Sequence, residues 1–235
     1  MATAILIDGD FFLRRYRALN GKQSPQQVAD DMHRMCLDHL KQGERRRDLY
    51  RIFFYDCPAL TKKAHHPVTG KAVDFAKTPT ALWRLEFHAT LKRQRKVALR
   101  LGYLNEHVAH WAPRPEKLKE LLSGKITAAD LEEEDVLYAA PQKGVEMRIG
   151  HDIASLAFKK QADQIILIAG DSDFVPAAKL ARREGIDFIL DPIRATIRAD
   201  LHEHIDGRCR QQQILPRHDT CYSSPVTPES LRFVV

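Results

Sequence analysis

Three short apolar runs, each followed by aspartate, constrain this chain more than any other feature. Ala4-Ile5-Leu6-Ile7 runs into Asp8-Gly9-Asp10, and Tyr50-Arg51-Ile52-Phe53-Phe54-Tyr55 runs into Asp56-Cys57-Pro58. Ile165-Ile166-Leu167-Ile168-Ala169 runs into Gly170-Asp171-Ser172-Asp173. Runs of this length, apolar on both faces and stopped by turn residues, read as fully buried parallel strands. Helical patterns separate them. Ser24-Pro25 offers an N-cap and a proline at the first helical position, and Val28, Met32, Met35, Cys36 and Leu40 follow at helical spacing. A helix carrying Ala177, Leu180 and Ala181 stops at Gly185 before a last strand, Ile186 to Leu190. Strands alternating with helices predict an α/β fold, with helices on a central, mostly parallel sheet.

The middle of the chain is less regular. Thr78-Pro79 opens a helix that runs into Lys92-Arg93-Gln94-Arg95-Lys96, Val97 to Leu101 reads as a strand, and 115–122 and 128–135 read as short helices. The stretch 59–142 is therefore taken as an insertion or elaborated edge of one domain spanning 1–206, with 207–235 as a peripheral tail rich in Gln, Pro, Ser and Thr. Val145 to Ile149 is read as a segment ahead of a helix that Asp152 opens and that carries Ile153, Leu156 and Ala157.

Composition narrows the function classes. At 235 residues and 44% hydrophobic content the chain can bury one sizeable core. Lys and Arg number 37 against 31 Asp and Glu, a formal charge of +6 that suits a polyanionic partner. Cys36, Cys57, Cys209 and Cys221 are far apart and form no Cys-x-x-Cys pair, which argues against structural zinc and suits a reducing, cytoplasmic compartment. His65-His66 and His202-x-His204 lack a third partner and read as solvated. The N-terminus has no signal-peptide pattern, and no stretch approaches the roughly 20 apolar residues that span a bilayer. No membrane role is expected, and oligomeric state is left open.

Ligands of parallel α/β sheets bind outside the carboxyl ends of the strands, and acids recur there. Asp8, Asp171 and Asp173 form the main set, with Asp152 on the preceding helix and Asp10, Asp56 and Glu146 as further candidates. Any one of them could be a helix cap or a turn former. Converging carboxylates repel, so a fold that gathers several does so around a hard cation, and Mg²⁺ or Mn²⁺ suits oxygen ligands better than zinc. Lys92, Arg93, Arg95 and Lys96 form a basic run that is either a solvated helix end or a contact for a phosphate backbone. Phe11, Phe12 and Tyr16 follow Asp8 and fit either core packing or base stacking.

Several blocks resemble one family. Ile7-Asp8-Gly9, Lys143-Gly144-Val145-Glu146 through Asp152-Ile153-Ala154, and Ile168-Ala169-Gly170-Asp171-Ser172-Asp173-Phe174-Val175-Pro176 with Arg182-Arg183-Glu184-Gly185 look like the NYN domain of the LabA/DUF88 group, a branch of the PIN-like nuclease superfamily. The resemblance covers about 1–205, loosely in the middle. It implies a three-layer αβα fold and RNA cleavage dependent on Mg²⁺ or Mn²⁺, with metal-binding acids at Asp8, Asp152, Asp171 and Asp173. This chain departs from the pattern where Phe11 replaces the usual Asn, and where Glu146 replaces an Asp common after Lys-Gly-Val. The expected function is a metal-dependent ribonuclease that hydrolyses RNA phosphodiesters with metal-activated water. Its surplus Lys and Arg should line the approach to the acids. One alternative is a non-catalytic RNA-binding NYN domain. Another is a haloacid-dehalogenase-like phosphatase, which Asp8-Gly9-Asp10 suggests but Val175 and Pro176 oppose, because that family wants an acid there.

Overall fold

The computed structural model describes residues 2–42, 45–196 and 199–208. Six strands form one parallel sheet: β1 (Ala2–Asp8), β2 (Asp48–Asp56), β3 (Val97–Leu101), β4 (Gln164–Ile168), β5 (Asp187–Asp191) and the two-residue β6 (Gly207–Arg208). Their spatial order is β6-β5-β4-β1-β2-β3, and every pairing within the sheet is parallel. The sheet is thus wholly parallel, and the α/β expectation holds.

Alternation along the strands makes the three layers, because successive side chains leave opposite faces. Ile5 and Ile7 of β1, Ile52 and Phe54 of β2, and Ile166 and Ile168 of β4 pack on one face. There they meet helices α1 (Gly9–Asn20), α2 (Pro25–His39) and α3 (Pro79–Arg93) through Phe12, Leu13, Met32, Phe87 and Leu91. Ala4, Leu6, Phe53, Tyr55, Ile165 and Leu167 take the other face. They are covered by α4 (Val145–Phe158) and α5 (Val175–Arg183) through Ile149, Ile153, Leu156, Ala178 and Ala181. Each such large side chain, once fully buried, contributes about 1.5–3 kcal/mol relative to exposure.

Local chemistry starts the helices where caps are available. Ser24 Oγ accepts from Gln27 N–H at the head of α2, and Thr78 Oγ1 from Ala81 N–H at the head of α3. One segment differs from expectation. Val145 to Ile149 is not a separate segment but the start of α4, entered through Gly144 in the left-handed region at φ +80°. Val145, Ile149, Ile153 and Leu156 recur at helical spacing and are all buried, so packing overrides the β preference of the branched residues. Asp152 accordingly sits in the middle of α4 rather than at its start.

Within 59–142, α3 and β3 belong to the central layers. The remainder builds three small antiparallel pairs, Lys63–His65 with Ala72–Asp74, His110–Pro113 with Val136–Ala139, and Tyr103–Leu104 with Gln142–Lys143, beside a small core of Leu60, Phe75, Tyr138 and Ala140. His66 is buried there, with its ring edge-on to Trp111 at 4.5 Å, so the expectation of a solvated His65-His66 pair fails for His66. The apolar environment of this small core claims it. The tail from 209 onward, with Cys209 and Cys221, lies outside the described residues; Cys36 and Cys57 are buried free thiols. Among the described residues no helix is long and apolar enough to cross a membrane.

Candidate metal and phosphate site

The strand order reverses direction at β1. From β1 the chain proceeds outward to β2 and β3 with α1, α2 and α3 on one face, then returns through α4 to β4 on the other side of β1. The connections leaving β1 and β4 diverge to opposite faces, and it is at such a point of the carboxyl edge that open α/β sheets bind ligands. Asp8 ends β1, one residue beyond the paired Ile7 and Ile168. Asp171 and Asp173 follow β4 on the same edge and are exposed, with Asp173 N–H donating to Asp171 Oδ1 at 3.4 Å.

Asp8 also caps α1, where its Oδ1 accepts from Phe11 N–H at 3.2 Å. Gly9 lets that helix start directly against β2. A Cβ on Gly9 would stand 2.4 Å from Tyr55 O and 2.7 Å from the Phe54 ring, closer than any side chain tolerates. The Asp-Gly-Asp turn therefore holds two carboxylates, Asp8 and Asp10, close to the sheet edge.

Burial pushes the Asp8 carboxyl up to about 7; the Phe11 amide and the Arg14 cation oppose this, and the like charges of Asp10 and Glu146 push the same way as burial. Burial raises Asp10 as well, against the pull of Arg14 and Arg84, and Asp56 and Glu146 add to the rise. Arg14 Nη2 lies 3.1 Å from Asp10 Oδ2. Asp10 Oδ1 is buried and has no hydrogen-bond partner among the described residues. The structure thus couples Asp8, Asp10 and Glu146 electrostatically, with Glu146 on the exposed first turn of α4.

Asp56 has a different environment. It ends β2 and is buried. Its Oδ1 accepts from Cys57 N–H at 2.8 Å and from Arg84 Nη1 at 3.2 Å, and its Oδ2 lies 2.7 Å from His88 Nε2. Asp152 lies on α4, which covers the other face of the sheet. Its Oδ2 accepts from the buried Tyr55 hydroxyl at 2.8 Å and lies 3.4 Å from Arg100 Nε. The Tyr55 phenol is raised by burial and then by that carboxylate.

The sequence reading did not find Tyr55, Arg84, His88 or Arg14 as partners of these acids. Arg84 and His88 stand 28 and 32 residues from Asp56, and only their spacing of four along α3 hints at a shared face. A fifth strand-end acid was also missed: Asp191 of β5 is buried with its Oδ2 2.8 Å from His39 Nε2.

The basic run lies elsewhere. Lys92, Arg93, Arg95 and Lys96 are exposed and precede Val97, at the amino edge of the sheet, and the Lys96 ammonium contacts Leu49 O. The five residues of β3, at about 3.3 Å each, separate them from the carboxyl edge by roughly 15 Å. Cations beside the acids include Arg14, Arg84 and Arg100.

Among the described residues no group of three or more His, Cys, Asp or Glu side chains is close enough together to hold a metal ion. Mg²⁺ does not need one, because it keeps several waters and binds through one or two carboxylates plus substrate phosphate. The unpartnered Asp10 Oδ1 and the like charges of the half-buried Asp8 and Asp10 fit a hard cation of that kind.

No curated protein matches the chain. A crystal structure of a protein of unknown function from Vibrio parahaemolyticus is similar at 14% identity and a TM-score of 0.46, over 88% of this chain and 90% of that one. The NYN domain family matches residues 73–200, more than half of the chain, and spans α3 to β5 but not β1. With the αβα layers and the acids at the carboxyl edge, that match makes the chain a member of the NYN domain family, and so of the PIN-like nuclease superfamily.

Proposed function

We propose that this NYN domain, of the LabA/DUF88 type, is a metal-dependent ribonuclease with its centre at Asp8 and Asp10. The observation that carries the reading is the half-buried pair Asp8 and Asp10, with the buried Asp10 Oδ1 unpartnered among the described residues, at the point where the sheet order reverses. Asp8 and Asp10 would hold Mg²⁺ or Mn²⁺, with Glu146 contributing charge. Asp171 and Asp173, on the neighbouring strand's turn, would complete the site when RNA brings its phosphate. A divalent ion bound there supplies a water of lowered pKa and neutralises charge on the scissile phosphate. The chain's own residues do the rest. The Phe11 amide and Arg14 fix the orientations of Asp8 and Asp10. Asp152, itself oriented by Tyr55 and Arg100, is available to take up a proton from the attacking water. Cleavage in this mode leaves a 5′-phosphate and a 3′-hydroxyl.

A second reading, a non-catalytic RNA-binding NYN domain, is favoured by the lack of three convergent ligands among the described residues. End-labelled RNA incubated with Mn²⁺ or EDTA separates the two. The nuclease reading expects cleavage in Mn²⁺ that disappears in EDTA and in Asp8→Asn, with RNA binding retained. Binding without cleavage in any divalent metal would favour the second reading. Turnover of a chromogenic phosphate monoester with no effect on RNA would favour a phosphatase.

A further inference from the structure

Three aromatic residues follow the strand-end aspartate on α1, and the fold treats them differently. Phe12 and Tyr16 are each 2% exposed and belong to the core between α1 and the sheet. Phe11 is half-buried at the rim of that core. Its amide donates to Asp8 Oδ1 at 3.2 Å, so the residue is fixed to the same carboxylate that heads the proposed centre. Its ring reaches across to the turn that follows β4. A Cβ built on Gly170, the residue before Asp171, would lie 2.4 Å from Phe11 Cε2 and 3.0 Å from Cδ2. Glycine at 170 is therefore what lets the ring lie on the backbone of the turn after β4. The ring bridges the two banks of the site, between Asp8 and Asp10 on one and Asp171 and Asp173 on the other.

An aromatic ring left half-open between the turns that carry these acids gains little for folding from its open part, because only surface removed from water contributes. Set one residue from Asp10 and across from Asp171, it is within a nucleotide's length of any phosphate held there. Every nucleobase presents a π-face to such a ring, and stacking is worth about 1–3 kcal/mol per base.

We propose that Phe11 is a stacking platform for one base of single-stranded RNA next to the scissile phosphate. A base inside a duplex is already stacked and paired, so the platform selects unpaired strands. The identification of the ligand as RNA rests on the ribonuclease reading.

The test uses a short single-stranded RNA carrying 2-aminopurine, whose fluorescence falls on stacking, titrated in EDTA so that binding is read without turnover. Wild type should quench the probe. Phe11→Leu, which keeps an apolar side chain of similar bulk, should bind roughly tenfold more weakly without the quench. Phe11→Trp should restore both. Gly170→Ala, which drives the ring off the turn, should behave like Phe11→Leu. A fully paired duplex should bind wild type and Phe11→Leu alike. Quenching and affinity unchanged in Phe11→Leu would overturn the proposal. If Phe11→Leu does not fold, Phe11→Trp decides: weaker binding and lost quench overturn it, wild-type or tighter binding supports it. The two readings fail separately. Quenching that depends on Phe11 without any Mn²⁺-dependent cleavage removes the nuclease and keeps the platform, whereas cleavage with an indifferent Phe11→Leu does the reverse.

Discussion

The ends of β1 and β2 are neighbouring parallel strand ends, each closed by an aspartate, and the two aspartates have opposite surroundings. Asp56 is met by a backbone amide, an arginine and a histidine, and its buried charge is compensated on both oxygens. Asp8 is met by one backbone amide, by the charge of Asp10, and by Arg14 and Glu146, which act in opposite directions. The difference comes from α3, which delivers Arg84 and His88 to β2, while the helix that starts at Asp8 brings Asp10, another acid. The same residue type in the same topological place is a structural ion pair in one strand and a charge-strained site in the next.

Breaking the compensated end should have the largest effect. Asp56→Ala leaves a buried guanidinium and a buried imidazole without their acceptor, and removing one partner of a buried pair costs about 3–5 kcal/mol. Urea melts of the variant should show a midpoint far below wild type, or no cooperative fold.

Neutralising the strained end should act in the other direction. Asp8→Asn keeps a side-chain acceptor for the Phe11 amide and removes the charge. The folded carboxyl, at about 7 against an ordinary 3.8, holds its proton more tightly than the unfolded chain does. Its favourable contribution is therefore complete below pH 4, declines as the unfolded chain ionises, and is gone once pH passes 7. In EDTA the variant should match wild type near pH 4 and exceed it by on the order of 4 kcal/mol above pH 7, as judged from denaturant midpoints at each pH. A difference that shrinks as pH rises would sink this account of Asp8.

Gly9 connects the two ends, since α1 starts against Tyr55 O and the Phe54 ring. Gly9→Ala should cost about 1–3 kcal/mol through overpacking and should shift the Asp8–Asp10 turn, so Mn²⁺-dependent cleavage should fall along with the melting temperature. Charge reversal across Lys92, Arg93, Arg95 and Lys96 should have the smallest effect. These residues are exposed at the opposite edge, so stability should change by less than about 0.5 kcal/mol. Cleavage rate at saturating RNA should stay at the wild-type level. A large loss there would mean that RNA wraps to the amino edge.

The fold was legible where local signals and packing agreed. The runs at Ile5, Ile52 and Ile166 are apolar on both faces, and caps at Ser24 and Thr78 announced α2 and α3. The start of α4 was not legible, because Val145 and Ile149 carry a β preference that only their burial beside Ile153 and Leu156 overrides. In the site, the acids could be read from their places after strands. Their partners could not, since Arg84 on Asp56 and Tyr55 on Asp152 are contacts of 28 and 97 residues' separation that no local pattern records. Nor could the sequence say which acids feel each other. The electrostatic neighbours of Asp8 include Asp10 and Glu146, two residues ranked below Asp171 and Asp173 on spacing alone.

The central claim, that the end of β1 is a cation site, is tested most directly by four thermal melts: wild type and Asp8→Asn, each in EDTA and in excess Mn²⁺ at pH 8. A cation that binds only the folded state adds about 2.7 kcal/mol at a hundredfold excess over Kd. Wild type should melt lower than Asp8→Asn in EDTA and rise with Mn²⁺, while the variant gains much less. A wild type that ignores Mn²⁺ and melts above Asp8→Asn in EDTA would make Asp8 a helix cap and nothing more.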